Sequence, residues 1–176
     1  MPGGPYPNLI KKALETGDFL VTLEYTPEVS AAPFEEAMGR VRRDARQVAG
    51  DPRARGFNIC DRVRSADCHD TVEIGRRLAD MSGKMPLLHL AGKDRTEPEM
   101  EAIVRRALGY GLENLLFVSG DKLVPDAPRP VRYYDSVNAI RLARALAPTA
   151  LIAATVSPFK YREEELLNQY LKLVKK

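Results

Sequence analysis

The amino-acid sequence predicts an α/β fold, namely a TIM-type (β/α)8 barrel of which about five parallel strand–helix units lie in this chain. Short apolar segments with strand character alternate strictly with segments of helical periodicity, and no hairpin signal interrupts them. The alternation alone also fits an open doubly wound sheet. Two further observations favour the barrel. No G-x-G-x-x-G follows a strand, and a polar residue ends every predicted strand, where barrels collect their chemistry.

Each predicted strand is short and largely apolar, as expected for parallel strands that helices cover. In the first, FLVTLEY (19–25), the odd-numbered residues are apolar or aromatic and form one face, while Glu24 shares the other face with Leu20 and Thr22. The other four predicted strands are residues 56–60, 85–92, 114–118 and 150–157.

Each strand is followed by a segment whose apolar residues recur at helical spacing. Gly111 and Pro148 are typical stop signals for the third and fourth of these helices, and acids early and lysines late in the last one suit the helix dipole. The predicted helices cover residues 33–50, the stretch after Asp70, the stretch from about Glu97, residues 136–147 and the C-terminal REEELLNQYLKLVKK.

The composition is that of an ordinary globular protein with a single domain over residues 1–176. Hydrophobic residues make up 44% and charged residues 29%, and the net charge of +3 is spread along the chain, which does not indicate nucleic-acid binding. No apolar run approaches the roughly 20 residues of a membrane span. The first residues, MPGGPYPNLIKK, lack the pattern of a signal peptide, so we expect a cytoplasmic protein without a membrane partner.

The two cysteines, Cys60 and Cys68, are too few for a disulfide framework and agree with a reducing compartment. Together with the adjacent His69 they form a C-x7-C-H pattern. Three ligands without a fourth in view are a weak zinc signal, so ordinary packing and loop positions are favoured and no metal site is predicted.

The polar residues at the strand ends are the candidate functional residues. Glu24 lies on the face that would point into the barrel, where a carboxylate is costly unless it is used or paired. His89 stands alone in an apolar strand, which is more often a core position, and Asp121 after Gly120 is as typical of a turn as of a site. Their common location at one end of the sheet favours function more than any one residue does.

Five segments, in order and spacing, resemble the methylenetetrahydrofolate reductases: LVTLEYTPE, PLLHLAGKDRT, GLENLLFVSGD, YYDSVNAIRLAR and TVSPFK. The second and third are the most specific, and the resemblance runs from about residue 18 to the end of the chain. It implies a flavin-dependent (β/α)8 barrel. Members of that family reduce 5,10-methylenetetrahydrofolate to 5-methyltetrahydrofolate by way of reduced FAD, with NADH or NADPH as the expected electron donor.

The resemblance also implies a role for each matching residue. Glu24 matches the general acid, whose burial would keep its proton to a higher pH, and Asp121 matches an aspartate beside the flavin and the pterin. Two departures are Thr26, where the family usually has an aromatic residue, and Cys60, where a threonine is common. The positions implied to bind FAD are Cys60, His89, Gly120, Asp121, Tyr134, Asp135, Ser136, Glu165 and Lys176.

A complete barrel takes about 250 residues, so we expect a barrel domain that is incomplete at its C-terminus. The sequence fits a fragment of a longer enzyme, a split enzyme completed by another chain, or a shortened relative that folds as an open sheet or dimer. The expected partners are a folate substrate and either a second copy or a complementing chain. The alternative functions are a truncated, non-catalytic paralogue that serves as a binding or regulatory subunit, and a different barrel enzyme acting on a phosphate-bearing substrate.

Overall fold

The computed structural model describes residues 5–27, 32–63, 67–120 and 133–155, together with residues 167, 170, 171 and 173–175. Five helices and five strands alternate along the first four of these ranges, beginning with a helix. The helices are α1 (Leu9–Thr16), α2 (Phe34–Gly50), α3 (Thr71–Ser82), α4 (Glu97–Gly109) and α5 (Ser136–Leu146). The strands are β1 (Val21–Tyr25), β2 (Ala54–Ile59), β3 (Leu87–Ala91), β4 (Asn114–Val118) and β5 (Leu151–Ala154).

The five strands form one sheet in the order β1-β2-β3-β4-β5, and every neighbouring pair is parallel. A doubly wound sheet reverses its strand order at a switch point, whereas a barrel adds each strand beside the previous one. The prediction of five parallel βα units in sequential order is therefore confirmed. Three strands are shorter than their predicted segments. Strands β1, β3 and β5 begin one or two residues later than predicted, and β3 and β5 also end earlier.

The hydrophobic core lies between one face of the sheet and the layer of helices α2 to α5. Phe57, Leu88, Leu115 and Phe117 contribute from three adjacent strands, and each is at most 1% exposed. Burying one such side chain contributes about 1.5–3 kcal/mol. The helices contribute the buried residues Met38, Val41, Val48, Ile74, Leu78, Met100, Val104, Ala139 and Ala143.

Local side-chain chemistry determines where these helices begin and end. Asp70 and Asp135 accept hydrogen bonds from the backbone N–H groups of Glu73 and Val137, and so cap α3 and α5. Gly83 follows α3 in the left-handed conformation, with φ of 68°, that favours glycine at this position. The predicted stop at Gly111 lies two residues after the end of α4.

Helix α1 is not among the predicted elements, and it covers the amino ends of the strands. Ile10 is fully buried against the start of β2, and Asn8 exchanges two amide hydrogen bonds of 2.7 and 2.9 Å with Asn114, the first residue of β4. Lys11 Nζ donates to the carbonyl oxygen of Thr149, just before β5, at 2.7 Å. This end of the sheet is therefore closed.

Candidate functional site

The face of the sheet that points away from the helices carries a row of polar side chains. Glu24 is paired in register with Asn58, and His89 lies two residues beyond Leu87, the β3 partner of Asn58. Paired residues of parallel strands share a face, and residues two apart on one strand do so as well. Glu24, Asn58 and His89 therefore project from the same face, which agrees with the alternation predicted for Glu24.

Glu24 itself is exposed, contrary to the expectation that a carboxyl in the barrel would be buried. The physical reason is its position on β1, which is one of the two edge strands of the sheet. The described residues cover Glu24 on the β2 side only.

His89 is more enclosed than Glu24. Its Nε2 atom is buried and has no hydrogen-bond partner among the described residues, and the same holds for Oδ1 of Asn58. Burial lowers the pKa of His89 below its ordinary value, although the carboxylates of Glu24 and Asp61 oppose the shift. A neutral imidazole and an amide oxygen with unused hydrogen-bonding capacity are suited to bind a polar ligand on this face.

Two further predicted positions lie at the carboxyl edge of the sheet. Cys60 directly follows β2, is buried, and donates its backbone N–H to the carbonyl oxygen of Tyr25 at 2.9 Å. Gly120 follows β4 with φ of +89°, and a Cβ atom there would lie 3.0 Å from Cβ of Lys93 and 3.1 Å from Cβ of Ala91. The chain therefore needs glycine at this position, both for its backbone angle and for the approach of β3.

The segment before α5 is held against the end of β3. The N–H of Tyr134 donates to the carbonyl oxygen of Gly92 at 2.9 Å, and a Cβ atom on Gly92 would lie 1.9 Å from the carbonyl oxygen of Tyr134. Ser136 is 5% exposed, and Asp135 uses its carboxylate as the helix cap. Burial and the nearby carboxylates of Glu97 and Glu101 raise the pKa of the Tyr134 phenol. The predicted residues Tyr134, Asp135 and Ser136 thus lie beside the strand ends.

Sequence reasoning missed an ionic cluster at the same edge. The Asp61 side chain is 2% exposed and accepts hydrogen bonds from both terminal guanidinium nitrogens of Arg95. It also accepts the N–H of Ala91 at 2.8 Å and the hydroxyl of Thr71 at 3.2 Å. These contacts join the end of β2 to the end of β3. Asp61 and Arg95 were visible only as polar residues after a strand and within the HLAGKDR segment.

Three predicted residues, Asp121, Glu165 and Lys176, lie outside the described residues. Within residues 5–27, 32–63, 67–120, 133–155 and the few described beyond them, no group of three or more His, Cys, Asp or Glu side chains could hold a metal ion. In the same part of the chain, no helix is long and apolar enough to cross a membrane.

The fold defines a protein of the parallel (β/α) class, in which polar residues gather at the carboxyl edge of the sheet. The family model described as Methylenetetrahydrofolate reductase matches residues 9–154, and the chain belongs to this family. No curated protein matches the chain.

Among solved structures, the fold is similar to that of a protein whose title reads "Uncharacterized protein from Clostridium thermocellum binds two copies of 5-methyl-5,6,7,8-tetrahydrofolic acid". The TM-score is 0.65 at 16% sequence identity. The match covers 95% of this chain and 53% of that one, so the present chain spans about half of its length. At this identity the likeness shows the fold alone.

Proposed function

We propose that this chain carries the flavin site of a methylenetetrahydrofolate reductase and, with the rest of a barrel supplied, reduces 5,10-methylenetetrahydrofolate to 5-methyltetrahydrofolate. The electron donor would be NADH or NADPH, and the reaction would take place in the cytoplasm. The observation that carries the proposal is the row of Glu24, Asn58 and His89 on one face of the sheet. The family match over residues 9–154 supports it.

The polar atoms of the site fit FAD in their chemistry. Asn58 Oδ1 can accept a hydrogen bond, and a neutral His89 can donate or accept one at Nε2, which suits the mixed donors and acceptors of a flavin ring. Gly120 lets the backbone approach closely, and the start of α5 at Ser136 offers N–H groups to an anion. Asp121, Glu165 and Lys176 are proposed as further contacts. When bound, FAD supplies the hydride chemistry.

The proposed role of Glu24 is to donate a proton that helps open the folate ring. Because Glu24 is exposed on the edge strand, the proposal includes a covering element beside β1, from a longer chain, a second copy or a complementing chain. A carboxyl enclosed in this way keeps its proton at a higher pH, as a general acid requires.

The test separates the two half-reactions of the complete protein by rapid mixing. Glu24→Gln keeps the shape of the side chain and removes the proton. We expect flavin reduction by the pyridine nucleotide to survive, while reoxidation by the folate slows by about 10²–10⁴-fold. The matched control is Glu15→Gln, whose side chain is 63% exposed on α1 at the opposite end. Equal slowing of both half-reactions by Glu24→Gln would refute the role of general acid.

A second candidate is a non-catalytic folate-binding or regulatory subunit, which the exposure of Glu24 favours. It predicts that the purified protein binds a reduced folate but no flavin. A yellow protein whose colour is lost on mixing with NADH or NADPH would exclude this candidate.

A further inference from the structure

The carboxyl edge of β3 holds a buried lysine that the proposed mechanism does not use. Lys93 is 4% exposed, and its Nζ atom has no hydrogen-bond partner among the described residues. Its backbone N–H donates to the carbonyl oxygen of Ser119 at 3.0 Å, and the residue forms a β-bridge with Tyr133. Lys93 thus lies between the end of β4 and the segment that leads into α5.

A second cation lies beside Lys93 with unused capacity. The Arg62 side chain is 18% exposed, donates through one terminal guanidinium nitrogen to the carbonyl oxygen of Lys93, and has an Nε atom that is buried without a hydrogen-bond partner in the described part of the chain. Arg62 also has φ of +47°, in the left-handed region that non-glycine residues rarely adopt. A strained backbone that is held by its surroundings is often found at a binding site.

The charges around these two residues do not balance. Asp61 is the buried carboxylate of the cluster among the described residues, and Arg95 already binds both of its oxygens. Oδ1 of Asp61 lies 3.7 Å from Nε of Arg62, which is too far for a hydrogen bond. Asp94 and Glu99 are exposed, and Glu99 accepts the N–H of Thr96. The guanidinium groups of Arg62 and Arg95 therefore share one buried carboxylate, and the buried ammonium of Lys93 has no hydrogen-bond partner among the described residues. A buried charge without a partner is unfavourable unless an anion joins it.

We propose that Lys93 and Arg62 form an anion site for the phosphate groups of the bound dinucleotide. This inference rests on the proposed flavin site and adds two residues to it. The position fits, because Lys93 and Gly92 contact Tyr133 and Tyr134 directly before α5, whose first N–H groups are proposed to bind an anion. A diphosphate supplies the negative charge that the cluster lacks, and a guanidinium and an ammonium are its usual partners.

The test uses Lys93→Met, which keeps an apolar chain of similar length and removes the charge. Pyrophosphate is the first probe, because it carries the diphosphate without the flavin. We expect the affinity for pyrophosphate, measured by calorimetry, to fall by about 10- to 100-fold. The control Lys12→Met removes the same charge from an exposed position on α1 and should leave the affinity unchanged. An unchanged affinity in Lys93→Met would overturn the proposal.

The thermal stability of the ligand-free protein gives an independent readout. Removing an unpaired buried charge should raise the melting temperature of Lys93→Met by about 2 °C or more. Lys84→Met should lower it, because the ammonium of Lys84 donates to three carbonyl oxygens at 2.5–2.8 Å. A lower melting temperature in Lys93→Met would show that its ammonium is paired within the protein, and would overturn the proposal.

Flavins of different length separate this inference from the proposed function. Lys93→Met should weaken binding of FAD and FMN by about 10-fold or more and leave binding of riboflavin, which has no phosphate, within about 2-fold. Equal weakening of all three would place the effect at the ring or in the fold and contradict the phosphate site. If the unmodified protein bound no flavin but pyrophosphate behaved as expected, the anion site would stand and the proposed function would fail.

Discussion

The two ends of the sheet treat the same residue type in opposite ways. Lys84 lies just before β3 and Lys93 just after it, and both are at least nine-tenths buried. The ammonium of Lys84 donates to the carbonyl oxygens of Val48, Asp51 and Ala54. That of Lys93 meets no hydrogen-bond acceptor among the described residues. Burial alone therefore says little about the role of a charged side chain, whereas its partners say much more.

The same contrast holds for the neighbouring polar groups. At the amino end, α1 closes the sheet, and the amides of Asn8 and Asn114 satisfy each other. At the carboxyl end, Asn58 Oδ1 and His89 Nε2 are buried without partners in the described part of the chain. Buried polar groups that have hydrogen-bond partners stabilise a fold, whereas buried polar groups without partners are available to bind a ligand. This agrees with the general division of labour in barrels, where stability and function occupy opposite ends.

The largest effect on stability is expected at Asp61, whose carboxylate lies at the carboxyl end of the sheet but has its hydrogen-bond partners within the protein. Asp61→Asn keeps the shape and removes the charge that Arg95 binds, so Arg95 loses its buried partner. We expect the free energy of unfolding to fall by about 3–5 kcal/mol. Denaturant unfolding followed by circular dichroism measures the change.

The control for Asp61→Asn is the same substitution at Asp70, which pairs with Arg106 at the surface. The side chains of Asp70 and Arg106 are about half exposed, at 47% and 46%, and asparagine caps a helix such as α3 as well as aspartate does. Asp70→Asn should therefore change stability by about 1 kcal/mol or less. Equal losses at Asp61 and Asp70 would contradict the interpretation of Asp61 as a buried structural ion pair.

A smaller effect on stability distinguishes Asn114 from Asn58, two asparagines on the face of the sheet that points away from the helices. Asn114 is fully buried and paired with Asn8, so Asn114→Ala should lower the free energy of unfolding by about 2–4 kcal/mol. Asn58→Ala removes an amide oxygen that has no partner in the described residues, and should change stability by about 1 kcal/mol or less. Its effect should instead appear in flavin affinity. A stability loss at Asn58 as large as that at Asn114 would remove the contrast between the two ends.

The smallest effect is a pH dependence that comes from His89. Because its pKa is lowered in the folded protein, the unfolded chain binds the proton more readily, and stability from this group is fully present above about pH 6.5. It declines as the pH falls from there through the folded pKa. The comparison is unfolding free energy from pH 8 to 5 in the unmodified protein and in His89→Gln. Parallel curves would show that burial does not disfavour the charged imidazole.

Much of this architecture follows from local patterns in the sequence. The alternation of strand and helix segments predicts the five βα units, and the parity of residues 20–24 predicts the face on which Glu24 lies. Helix α1 escaped prediction because its eight residues form a single short segment outside that alternation. The exposure of Glu24 depends on what lies beside β1, which no local pattern contains.

The ionic cluster was missed for a different reason. Asp61 and Arg95 are 34 positions apart, and only the approach of β2 to β3 brings them together. Lys93 stood in a recognisable segment, HLAGKDR, but its burial and its lack of a partner are properties of the fold. Such residues become visible only when the hydrogen-bond partners of each buried polar atom are followed individually.

The position of α1, across the amino ends of the strands, has a consequence for the order in which the chain folds. Each strand pairs with the strand made directly before it, so β1 to β5 can assemble in the order of synthesis. Asn8, although made first, pairs with a residue 106 positions later. The contacts of α1 with Asn114 and Thr149 can therefore form only after β4 is in place, and closing so long a loop is entropically unfavourable until then. The first helix of the chain is expected to be among the last to become protected against hydrogen exchange.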